Sequence, residues 1–149
     1  MKMSSEKSSD RWERIETNED LVRNTLSLAE RDIKTALNVF NDEDYDWSLA
    51  IAYNAMLQAG RALMFSEGFR PKGRYQHVAV IEFIRQRFEE FAGQMLFIFN
   101  KTRKKRHVAV YEQAKIVSRE EAMHVLNWAE KFVKKVREIL ENKYLNDKL

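Results

Sequence analysis

Over the last third of the chain, Ala122, Val125, Ala129, Phe132, Val136 and Ile139 recur at spacings of three and four. An α-helix turns once in 3.6 residues, so this spacing gathers all six on one face. A strand would scatter them to both sides. The pattern recurs upstream in Val22, Leu26, Ala29, Ile33, Leu37 and Phe40, and again in Leu49, Tyr53, Met56, Gly60 and Leu63. Helices with one apolar stripe must bury it against one another. Four Gly and one Pro in 149 residues leave few interruptions. The expectation is an all-α protein: an up-and-down bundle of four to five helices with short connections.

Five helical segments are predicted, at about 19–40, 46–66, 76–90, 94–112 and 118–144. Thr17 with Asp20 reads as the first N-terminal signal, and Ser118 with Glu121 as a capping box for the last helix. Gly60 lies mid-helix among Ala50, Ala52, Ala55, Ala59 and Ala62. Glycine there costs about 1 kcal/mol relative to alanine, so close helix packing is its expected purpose. Gly68 reads as a helix terminator. The segment 67–75, EGFRPKGRY, reads as a solvated surface loop. Residues 1–17 read as a flexible polar tail, and 18–149 as one helical domain. Trp12, Trp47 and Trp128 are expected to pack.

Several function classes are excluded or unsupported. Without Cys there are no disulfides and no thiol catalysis. No apolar run approaches the ~20 residues of a membrane span, and the polar N-terminus does not read as a secretion signal. A cytoplasmic location is expected. His77, His107 and His124 are scattered and form no HExxH, so no metal or other cofactor is expected. The acidic run 41–46, NDEDYD, lacks the alternating ligands and central Gly of an EF-hand. There is no Gly-rich phosphate loop and no GxSxG. The net charge of +3 is mild. Its segregation into an acidic 41–46 and a basic 101–106 suits binding, or a self-complementary dimer.

The basic stretch carries the chemistry. Five of the six residues 101–106 are cationic, and His107 and Tyr111 follow. On a helix Arg103, His107 and Tyr111 share a face, with Arg106 and Val110 beside them. Arginine binds phosphate through two parallel hydrogen bonds, histidine moves protons near neutral pH, and tyrosine adds a hydroxyl and a stacking face. Such a set can cleave RNA without a metal: a base takes the 2′-hydroxyl proton while arginine offsets charge on the phosphate. Lys104 and Lys105 extend the basic surface, and Arg70, Lys72, Arg74 and His77 can wall a phosphate cleft. The plain alternative is a solvated helix end whose cations favour the C-terminal dipole.

Over residues 20–143 the chain resembles HEPN domains (higher eukaryotes and prokaryotes nucleotide-binding), notably small stand-alone prokaryotic ones. Four stretches carry the likeness: the first helix before its acidic turn, DWSLAIAYNAMLQAGRALMFSEGFRP, HVAVIEFI, and RKKRHVAVYE before a closing amphipathic helix. The resemblance implies a bundle of four or five helices that dimerises, with two motifs facing one composite cleft. It implies metal-independent ribonuclease chemistry, often that of toxins paired with a nucleotidyltransferase-like antitoxin. The family motif is an Arg, a polar neighbour, and a His after four to six intervening residues. Arg106 matches the Arg and His107 the neighbour; Tyr111 stands where the His is expected. Taking Arg103 with His107 instead leaves the spacing one residue short. The resulting expectation is an RNA- or nucleotide-binding protein with a departed catalytic motif. The alternative is a non-catalytic module that pairs with a nucleotidyltransferase-type partner.

Overall fold

A computed structural model describes residues 10–148, with side chains described as far as Tyr144. The element order is β1 (Trp12–Arg14), α1 (Glu19–Asn41), α2 (Tyr45–Ser66), β2 (Phe69–Pro71), α3 (Gln76–Arg87), α4 (Gln94–Tyr111) and α5 (Arg119–Lys148), with a 3-10 turn at Glu89–Phe91 between α3 and α4. The helices form the expected all-α, HEPN-like bundle.

The centre is α2, which packs against α1, α3, α4 and α5. It is apolar nearly all round, as a helix enclosed by others must be. A Cβ added at Gly60 would lie 2.5 Å from Val80 Cγ1 and 3.0 Å from Ile84 Cδ1. The close approach of α3 to α2 is therefore the reason for that glycine. Around α2, α1 contributes Val22, Leu26, Ala29, Ala36 and Phe40, and α5 contributes Ala122, Val125, Ala129, Phe132, Val136 and Leu140. Leu37 of the predicted stripe is instead 42% exposed. Arg137 fastens α5 to α1: Nη2 donates to Glu30 Oε1 at 2.7 Å, and Nη1 to Glu141 Oε2 at 2.7 Å.

The helix ends largely follow the sequence signals. The α1 cap is Asn18 rather than Thr17: its Oδ1 accepts from Leu21 N at 3.2 Å. Ser118 Oγ accepts from Glu121 N at 3.0 Å, as a capping serine should. α3 stops at Arg87, short of the predicted residue 90, because Phe88 and Phe91 turn inward and bury. Gly93, at φ +85°, then reverses the chain into α4, a conformation that side chains with a Cβ rarely adopt.

Three expectations change. The segment 67–75 is not simply a solvated loop: Phe69–Pro71 pairs antiparallel with Trp12–Arg14, and Phe69 and Pro71 point inward. Alternation along a strand buries every second side chain and leaves Arg70 outside. Of the expected N-terminal tail, 1–9 lie outside the described residues, whereas Trp12 is buried edge-on against Phe83 at 5.2 Å between centroids. Of the other tryptophans, Trp128 is half-buried, but Trp47 is 52% exposed and does not pack into the core.

Candidate nucleic-acid interface

The basic run of α4 is divided by the helix into three directions. Arg103, Arg106 and His107 turn toward the start of α3. Lys105 turns the other way and reaches Glu121 of α5 at 3.3 Å. Lys101, itself exposed, lies on the same side as Lys105, and Lys104 is exposed to solvent. The first half of α4 is held by buried Leu96, Ile98, Phe99 and Thr102, so the second half projects with little cover.

Where α4 passes α3, a cavity of about 250 Å³ opens, lined by Arg74, Tyr75, His77, Arg103, Arg106 and His107, with Gln76 and Val78. A larger cavity, about 500 Å³, lies between α1 and α5, but its cations Arg23 and Arg137 are both ion-paired. The smaller cavity differs in charge. Among the described residues no carboxylate pairs with Arg74, Arg103 or Arg106. Arg103 Nε donates to the neutral Asn100 Oδ1 at 3.1 Å. The Arg106 guanidinium lies over the Tyr53 ring at 5.8 Å and the Tyr111 ring at 5.9 Å. Aromatic faces hold a guanidinium without neutralising it, so the cavity keeps an uncompensated positive field.

Beneath it lies a polar pair that joins α2 to α3. Tyr53, fully buried, has its hydroxyl 3.1 Å from His77 Nδ1. Burial pushes the Tyr53 phenol well above its ordinary range, outweighing the opposite pull of Arg103 and Arg106. His77 is pushed below the usual histidine value, first by burial and then by the charges of Arg106, Arg103 and Arg61. Tyr53 is therefore a phenol and His77 a neutral imidazole at pH 7. The roles in this bond follow the imidazole tautomer: the phenol donates to Nδ1 when the His77 proton is on Nε2, and accepts when it is on Nδ1. His107 is in contrast exposed; its ring lies 5.2 Å from that of Tyr111 and its Nε2 3.4 Å from Glu112 Oε2. Tyr111, 66% exposed, stands beside the cavity.

Of the predicted residues, Arg74, His77, Arg103, Arg106 and His107 meet at this cavity, and Tyr111 lies at its edge, tilted against His107. The others do not join them. Arg70 is held by Glu13 at 2.6 Å on the β ribbon, Lys72 does not line the cavity, and Lys104 and Lys105 face elsewhere. Sequence reasoning missed Tyr53 and Tyr75. A tyrosine in an otherwise aliphatic stripe signals that a buried hydroxyl needs a partner, but its partner is 24 residues away. Among the described residues no three His, Asp or Glu side chains gather as a metal site would need.

The family model for the HEPN domain matches residues 22–139. The chain belongs to the HEPN domain family. It is also similar to a protein of Methanocaldococcus jannaschii named "Putative toxin MJ0142", 25% identical over 121 residues, which cover 79% of this chain and 80% of that protein. The matched span of this HEPN protein contains every element of the cationic cavity. Among its described residues no helix is long and apolar enough to cross a membrane.

Proposed function

We propose that this HEPN protein binds RNA or a nucleotide through the cavity between α3 and α4 and acts there as a toxin-like, metal-independent ribonuclease. The observation that carries this is the convergence of Arg74, Arg103 and Arg106 with two histidines around a cavity holding no carboxylate. Such a field favours a phosphate, and arginine forks match its oxygens. In the cleavage step His107, exposed and therefore reachable, takes the proton from the 2′-hydroxyl. The 2′-oxygen attacks phosphorus to give a 2′,3′-cyclic phosphate, the bond to the 5′-oxygen breaks, and that oxygen takes a proton from water. Arg103 and Arg106 offset the charge that builds on the phosphate. Tyr111 positions the nucleotide by its hydroxyl or ring. Neutral His77, held at Nδ1 by Tyr53, presents Nε2 as a further hydrogen-bonding group, a donor when the phenol donates to Nδ1.

Tyr111 stands where the family motif expects His, and this favours a second reading. In it the basic end of α4 is a non-catalytic docking surface for a second copy or for a nucleotidyltransferase-type antitoxin. The toxin name of the archaeal relative suits an antitoxin partner. The discriminating experiment uses purified protein, generic single-stranded RNA and the Arg106→Ala, His107→Ala double variant, with circular dichroism to check folding. Cleavage by the wild type in the presence of EDTA, lost in the folded double variant, is the expected result. No cleavage by the wild type even at high protein concentration sinks the enzyme reading in favour of the docking module.

A further inference from the structure

The boundary between α3 and α4 extends beyond the cationic cavity. The two helices run antiparallel: the first residues of α3 face Arg103–His107, whereas Arg85, near its end, faces Leu96 and Phe97 at the start of α4. There a second cavity of about 320 Å³ is lined by Arg85, Leu96, Phe97 and Asn100, with Ala92 and Gly93 at the turn. One hydrogen bond links the two, since Asn100 lines the second and its Oδ1 accepts from Arg103 of the first.

The second cavity differs in chemistry from the first. Phe97 is 63% exposed, between buried Leu96 and Ile98, so its ring offers a face to solvent. With Asn100 Oδ1 occupied by Arg103, the Asn100 amide still has its N–H donors. Among the described residues Arg85 is ion-paired only with Glu82, at 3.5 Å, a largely exposed pair of small energetic weight. From His77 to Arg85 is about 12 Å along α3, at 1.5 Å per residue, which is more than a single phosphate spans.

We infer that this second cavity is a base-binding subsite for single-stranded RNA: a strand whose phosphate lies at Arg103 and Arg106 lays a neighbouring base on the Phe97 ring, with the Asn100 amide at its edge and Arg85 toward its backbone. The inference rests on the RNA reading above. Charge decides the occupant. Arginines in both cavities favour a polyanion over an apolar protein segment, and an unpaired base supplies the flat face that Phe97 can stack. In a duplex the base faces are not available.

The test is fluorescence anisotropy with a labelled single-stranded RNA and its duplex, on wild type, Phe97→Ala, Phe97→Tyr and Arg106→Ala. Phe97 is exposed, so its variants are expected to melt with the wild type. Phe97→Ala should weaken single-strand binding roughly five- to tenfold, at the lower end of base–aromatic stacking, with duplex binding unchanged and Phe97→Tyr near wild type. Wild-type affinity in Phe97→Ala alongside weakening in Arg106→Ala overturns the subsite and leaves the RNA reading standing. Phe97→Ala that changes sedimentation but not RNA affinity shows a protein interface, and overturns it too. If the wild type binds no RNA, both readings fall together.

Discussion

The fold holds the pKa of His77 below its ordinary value. Its imidazole stays neutral because it is partly buried and faces the charges of Arg106, Arg103 and Arg61. In the unfolded chain it returns to about 6.5. The unfolded state thus binds the proton more readily, and acid favours unfolding. The stabilisation is fully present above about pH 6.5 and is lost as pH falls through the depressed folded value. Chemical-denaturation midpoints measured between pH 7.5 and pH 5 should fall for the wild type and fall less for His77→Gln, which keeps an acceptor for Tyr53. Equal slopes would show that His77 is as easily protonated in the fold as outside it.

At the scale of elements, the position of the motif depends on how α4 ends. Asp46, in the first turn of α2, accepts from three successive backbone N–H groups: Lys115, Ile116 at 3.2 Å and Val117 at 3.0 Å. Lys115 adopts a left-handed φ of 59°, so the segment between α4 and α5 is tightly shaped as well as tethered. One carboxylate thereby ties the start of α2 to the loop that begins just after Tyr111. Hydrogen bonds to a charged acceptor contribute about 1.5–3 kcal/mol each. Because the loop can regain water as partner, Asp46→Ala is expected to cost about 2 kcal/mol of global stability. Hydrogen exchange should quicken at the Ile116 and Val117 amides first. Unchanged protection there would mean that packing of Val117, rather than Asp46, holds the loop.

For the whole molecule the distribution of charge matters more than its sum. A net charge of +3 is small, yet the bundle gathers three arginines without carboxylate partners at one cavity while others are ion-paired. RNA affinity should therefore fall linearly with salt on logarithmic axes, by roughly 0.7 in slope for each phosphate neutralised. Arg106→Ala should lower that slope by about 0.7, whereas Arg70→Ala, already paired with Glu13, should leave it unchanged. Titrations from low to high salt check both. A flat wild-type line would remove phosphate contacts from the account.

The periodic stripes were sufficient for the helices, because a 3.6-residue repeat of apolar positions has one way to be buried. Ser118, Gly68 and the basic end of α4 carried local signals that need no distant partner, whereas Gly60 signalled a close approach without naming α3 as the neighbour. Tertiary packing decided the rest. It folded Phe69–Pro71 onto Trp12–Arg14, which no local rule couples across 57 residues. It also turned three members of one basic run toward α3 and sent its lysines elsewhere, since helix rotation is set by what the opposite face buries. The cationic identity of the site was therefore written locally. Its membership, including Tyr53 beneath His77, came from helices meeting in space.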